Sequence, residues 1–84
     1  MTETAKTPAR PLSTIAREIR SDWKKVNFAA VPYLQAMSTL NSVDDTYISD
    51  SARSIVNYFL SNASTWRGET AKRIKKELNA MVKR

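Results

Sequence analysis

The run ARSIVNYFLSNA, residues 52–63, constrains the fold of this chain more than any other stretch. Ala52, Ile55, Val56, Phe59, Leu60 and Ala63 recur at i, i+3, i+4, i+7, i+8 and i+11, the apolar stripe of one amphipathic helix. No other segment holds as many large side chains in so clean a pattern, so the rest of the chain must supply the surfaces that cover it. With 84 residues there is room for one domain and a thin stability margin. A single Gly and three Pro argue against a turn-rich β fold.

Three further helices are predicted around that stripe. The first begins near Ser13 or Thr14, which cap its amides, with Leu12 as a hydrophobic staple. Leu12, Ile15, Ala16, Ile19, Trp23 and Val26 share one face, while Arg17, Arg20 and Lys24 line the opposite side. Glu18 and Asp22 sit at the boundary, where a carboxylate usually receives an Arg from a neighbouring helix. Asn27 is a stop or a cap. A shorter second helix follows, with Pro32 in its first turn because proline has no amide to donate. Ala30, Val31, Tyr33, Leu34, Ala36, Met37 and Leu40 cover most of its circumference, which predicts a central position.

Ser42-Val43-Asp44-Asp45 resembles a capping box, and residues 43–49 read either as a separate turn or as the start of the third helix. Asp44, Asp45 and Asp50 lack calcium-loop spacing and suit a helix N-terminus instead. SNAS, residues 61–64, ends the third helix, and Ser64 or Thr65 caps a fourth with Trp66 in its opening turn. Ala71, Ile74, Leu78, Met81 and Val82 form its apolar face. Glu69, Arg73 and Glu77 are spaced as an i, i+4 ladder. Lys72, Lys76 and Lys83 lie opposite the apolar face and Lys75 flanks it. Arg67 projects near the apolar side and needs a partner, for which Asp22 and Glu18 are candidates.

The fold class expected is therefore all-α: a compact small bundle of three longer helices and one short helix. Residues 1–11 are a disordered N-terminal tail and 12–84 a single helical domain, because the tail has two prolines and no periodic apolar residue. Lys6 and Arg10 make that tail a weak polyanion arm at most. The core should hold Ile15, Ile19, Trp23, Leu34, Met37, Leu40, Ile55, Val56, Phe59, Leu60, Ile74 and Leu78.

Charge and composition narrow the function classes. Cysteine and histidine are absent, which removes disulfides, the common zinc ligand sets, and Cys- or His-based catalysis. No Gly-rich phosphate loop or spaced catalytic motif is present. We therefore expect no enzyme activity, no cofactor, no metal and no small-molecule substrate. The N-terminus is polar and no apolar run approaches a membrane span, so a cytoplasmic location is the default and no membrane association is expected. The formal charge of +6 divides into +3 over residues 1–26, −2 over 27–66 and +5 over 67–84.

Two binding roles follow. If the first and fourth helices pack side by side, Arg17, Arg20 and Lys24 join Lys72, Lys75, Lys76 and Lys83 in one basic surface for sequence-independent nucleic-acid binding. No helix-turn-helix spacing and no aromatics among the lysines accompany them. The alternative is a protein–protein interaction module, a homodimer or a host-protein binder, using exposed aromatics. Tyr58, off the main stripe of its helix, with Trp66 and Arg67 are the interaction residues under that reading.

The run Tyr58 to Glu69, YFLSNASTWRGE, followed by Ala71-Lys72 and Ile74-Lys75, resembles small proteins of actinobacteria and their phages. Val31-Pro32-Tyr33-Leu34 fits the same likeness. It spans about residues 12–82 and implies a phage or prophage setting, with no activity attached. It directs attention to the Trp66-Arg67-Gly68-Glu69 corner, where a Gly can let a backbone or a ligand come close. The same glycine also suits a tight helix–helix corner.

Overall fold

The computed structural model describes residues 10–83. The chain is mostly helical, with α1 at Leu12–Asp22, α2 at Val31–Met37, α3 at Ala52–Ser61 and α4 at Glu69–Val82. A 3-10 turn, Phe28–Ala30, leads directly into α2. The expectation of a purely all-α bundle is corrected between α2 and α3. There, β1 (Thr46–Tyr47) and β2 (Asp50–Ser51) pair antiparallel, with Thr46 opposite Ser51 and Tyr47 opposite Asp50. Residues 43–49 thus form a turn and a hairpin, and do not extend α3. The expected disorder of the tail, including Lys6, falls on residues 1–9, outside the described residues.

Each helix packs on its two neighbours, α1 on α2 and α4 and α3 on α2 and α4, so the four close a ring around one core. The predicted stripe of α3 supplies Ala52, Ile55, Val56 and Phe59 to it, all buried. Leu60, expected in the core, is only partly buried at its margin. The second helix is not central: it forms one side of the ring, and Pro32 and Gln35 stand in solvent. Pro32 does occupy its first turn, as its missing amide requires.

Helix ends are satisfied largely by other parts of the chain. Neither Ser13 nor Thr14 caps α1, which starts at Leu12 after Pro11. Its first amides instead donate across the fold, Leu12 N–H to the Asn41 carbonyl at 2.9 Å and Ser13 N–H to the Leu40 carbonyl at 2.8 Å. Orphan donors at one helix start thus meet acceptors just past the end of α2. Helix α1 ends at Asp22, because Trp23 leaves helical geometry to bury its ring. Asn27 caps the 3-10 turn by accepting from Ala29 N–H, and its side-chain amide donates to the Asn62 carbonyl. Ser51 caps α3 through Ser54 N–H. Arg53 donates to the Val82 carbonyl at 2.7 Å, placing a cation on the negative end of α4.

The capping-box pairing expected at Ser42–Asp45 forms, on a turn and not on a helix: Asp45 reaches back to the Ser42 amide and Ser42 Oγ accepts from Asp44 N–H. Asp45 accepts from the amides of Asn41 and Ser42, which tightens the turn before the hairpin and holds its carboxyl below the usual range. At the hairpin tip Ile48 has φ 57°, a left-handed conformation costly for a β-branched residue, and its side chain is 85% exposed.

The largest correction concerns the start of α4. The helix begins at Glu69, not near Trp66, and Gly68 stands before it with φ 114° and ψ 180°. Only glycine adopts that backbone region without strain. A Cβ at this position would meet nothing within 4 Å, so conformation and not crowding demands the glycine. Gly68→Ala is expected to cost about 1–3 kcal/mol in urea denaturation; an unchanged midpoint would show that the corner relaxes freely.

A chain of ion pairs closes the seam between α1 and α4. Arg10 binds Glu77 through Nε (2.9 Å) and Nη2 (2.7 Å), and Glu18 through Nη1 (2.9 Å). Arg73 also bonds Glu18. Arg10, expected in a free tail, is therefore a clamp. The Glu69–Arg73–Glu77 ladder gives way to these longer-range pairs. Arg73, then Arg10, holds the Glu18 carboxyl below its ordinary value of 4.5. A folded value below the unfolded one means that this stabilisation is complete above about pH 4.5 and is lost as pH falls through the lower folded value. Glu18→Gln should lower stability at pH 7 and flatten the acid loss below pH 4.5, measured by denaturant titration across pH; an unaltered acid limb would exclude Glu18 as its source.

Candidate functional site

Trp66 organises the corner that carries the best candidate site. Its ring stacks on Trp23 at 5.7 Å with 13° between planes, and meets Phe59 edge-on at 6.3 Å. Trp23 and Phe59 complete the triangle at 6.1 Å. The indole N–H donates to Asp22 Oδ2 at 2.8 Å, so the one polar atom of the buried ring is satisfied. The expectation that Trp66 is an exposed interaction residue is corrected: it is 2% exposed.

Because the Trp66 side chain turns inward, the chain beside it is left outside. Arg67 and Gly68 are exposed and, with Trp66, Ala71, Lys72 and Lys75, line an open hollow of about 250 Å³. Lys75 Nζ donates to the Trp66 carbonyl at 2.6 Å and lies 5.9 Å from the centre of its ring. Burial pushes the Lys75 ammonium below its ordinary value of 10.5, and nearby Arg67 adds to the shift. Arg67 pairs with neither Asp22 nor Glu18: Asp22 Oδ2 accepts from Trp66, and the two Glu18 oxygens accept from Arg10 and Arg73. The first turn of α4 adds amide donors, since the first intrahelical bond runs from Lys72 N–H to the Gly68 carbonyl.

The first and fourth helices do pack side by side, the arrangement required for one joint basic surface. Helices α1 and α4 are neighbours, but the Glu18 edge of one meets the Arg73 and Glu77 edge of the other. At about 100° per residue, Arg17 and Arg20 lie about 100–160° round α1 from Glu18. Lys72 and Lys76 lie about 100–140° round α4 from Glu77. Each stripe therefore points away from the seam, one along α4 and a smaller one on α1. Lys24 falls beyond the end of α1, in an exposed bend. Among the described residues Arg17, Arg20, Lys24, Arg67, Lys72, Lys76 and Lys83 have no carboxylate partner, whereas Arg10, Arg53 and Arg73 do.

Tyr58 is 50% exposed, as its position off the stripe suggested, and its ring touches Tyr33 at 5.3 Å. Sequence reasoning missed Phe28, which is 90% exposed. Its signal was the Asn27 cap, which places Phe28 in a turn ahead of the apolar face of α2. The acidic residues disperse: Asp44 pairs with Arg53, Asp45 caps a turn, and Asp50 lies on the hairpin.

Among the described residues no helix is long and apolar enough to cross a membrane. No protein-family model, curated protein or solved structure matches the chain. The site thus stands on its own geometry. Arg67→Ala should raise the Lys75 pKa partway toward 10.5 by removing the neighbouring charge, read by NMR titration of the lysine ammonium groups; an unmoved Lys75 would place Arg67 away from the hollow.

Proposed function

We propose that this chain is a non-enzymatic binding protein that holds the phosphate backbone of nucleic acid, without reading its sequence, on the outer face of α4. Arg67, Lys72 and Lys76 are the principal contacts, Lys75 tunes the hollow beside them, and Lys83 extends the face toward the C-terminus. Arg17 and Arg20 form a second, weaker patch. The observation that carries this reading is the segregation of cations. Those in the α1–α4 seam and at the α3–α4 contact are matched with carboxylates or carbonyls, while those along α4 are not. Unmatched cations on one face attract a polyanion and release its counterions.

Sequence independence follows from the side chains present. The aromatic ring at the corner is buried, so it is not offered to bases, and the free cations of the α4 face, its lysines and Arg67, suit phosphate oxygens, which carry no sequence information. The lack of His and Cys supports a binding role over catalysis. A phage or prophage setting in a bacterial cytoplasm belongs to the same proposal and rests on the sequence resemblance.

Binding of a short mixed-sequence duplex, measured by fluorescence anisotropy across a salt series, tests the reading. Affinity should fall steeply with salt, and Lys72→Ala with Lys76→Ala should weaken binding uniformly across sequences while reducing the log–log salt slope by about one per lysine. Glu69→Gln, which leaves the cations in place, should not weaken it. Absence of binding at low salt would overturn the proposal.

A further inference from the structure

The most exposed aromatic ring among the described residues follows directly on two unpaired lysines. Lys24 and Lys25 lie in the bend after α1, both exposed and neither paired with a carboxylate among the described residues. Asp22, the nearest carboxylate in sequence, accepts from the Trp66 indole. Phe28 comes three and four residues later, within about 15 Å of both lysines by the reach of the chain. Its ring is 90% exposed. The turn that carries it is pinned: Asn27 accepts from Ala29 N–H and donates to the Asn62 carbonyl at the end of α3. That second bond sets Phe28 beside the last turns of α3, where half-exposed Tyr58 rests on Tyr33 at 5.3 Å. Residues 27–43 and 54–66 hold no carboxylate, so nothing in either segment repels an anion lying across these rings.

From this juxtaposition we infer that the surface running from the Lys24–Lys25 bend across Phe28 to Tyr58 binds single-stranded nucleic acid, with unpaired bases stacked on Phe28 and Tyr58 and phosphates on the two lysines. Charge and ring together select the occupant. Unpaired lysines require an anion, and exposed rings require a flat apolar face carried along it. An unpaired strand supplies both, because it bears a phosphate at every nucleotide and every base has a π-face. A duplex supplies only the first, since its bases are stacked on one another and their faces are closed to a side chain. Phe28 stands on a pinned turn, so its backbone loses little freedom when a base stacks on it. The surface shares no residue with the α4 face, and the inference does not depend on what α4 binds. It gives the molecule a site for unpaired bases apart from its site for phosphate alone.

Fluorescence anisotropy of the full chain with a labelled oligothymidine of about 12 nucleotides reads it, beside an abasic strand of equal length. Both are measured with Lys72→Ala and Lys76→Ala in place, which removes strands held on α4. Oligothymidine should bind, and the abasic strand, which keeps every phosphate and loses the bases, should bind at least about fivefold more weakly. Phe28→Ala should weaken oligothymidine by a similar factor without changing the salt slope, and Phe28→Trp should restore it. Lys24→Ala with Lys25→Ala should instead lower the log–log salt slope by about 0.7 per lysine. Phe28 is almost fully exposed, so Phe28→Ala should leave thermal unfolding unchanged. With the α4 lysines restored, Phe28→Ala should also leave duplex binding unchanged, which separates this outcome from the fate of the α4 reading. Equal affinity for the abasic strand would overturn the inference, as would oligothymidine binding indifferent to Phe28→Ala. So would no binding of oligothymidine at low salt, including the case in which Phe28 carries the protein onto vesicles of anionic phospholipid instead.

Discussion

Burial of the Trp66 indole is the contact on which the remaining arrangement depends. It lies in a connection, not in a helix, yet it fills the space between Trp23 at the end of α1 and Phe59 on α3. Asp22 and Lys75 hold it from two sides, one by its indole N–H and the other through its backbone carbonyl. Three elements thus meet on one residue. The direction of α4 follows, because a chain that has turned its tryptophan inward must reverse sharply before the next helix can start, and Gly68 supplies that reversal. The hollow and its cations follow in turn.

Electrostatics divides the molecule into three regions with different work. The α1–α4 seam consumes charge internally, with Arg10 and Arg73 bridging Glu18 and Glu77 at half-exposed positions where each pair contributes modestly and the network fixes helix register. The α4 face leaves its charge unmatched. The α2–α3 face has none. A small domain with one core thereby presents two surfaces of different character, one with exposed unmatched cations and one with exposed aromatics.

Much of the architecture was legible because helical periodicity is a strong signal. The α3 stripe, the Pro32 helix start and the apolar face of α4 all appear where spacing put them. What was not legible depends on contacts distant in sequence. Nothing local marks Arg10 as a clamp on Glu77, 67 residues away, or shows that α1 is capped by carbonyls of residues 40 and 41. Trp66 looked like an opening-turn residue because its partners, Trp23 and Asp22, are on another helix. The hairpin was hidden because each strand has two residues, too few for an alternating pattern. The candidate lysines were readable as exposed. That they point away from the α1–α4 seam required knowing which edges of the two helices meet.

The tie between the start of α1 and the end of α2 also bears on how the chain acquires its structure as it is synthesised. Helix α1 finds acceptors for its opening amides only after Asn41 has emerged from the ribosome, and the Trp23 ring at its end waits for Trp66. Glu18 waits longer still for Arg73, and Arg10 for Glu77. No helical hairpin is complete in itself, so the domain assembles as one cooperative event only after α4 has been made. Its folding rate is then set by loop closure between distant segments and not by the speed at which helices form.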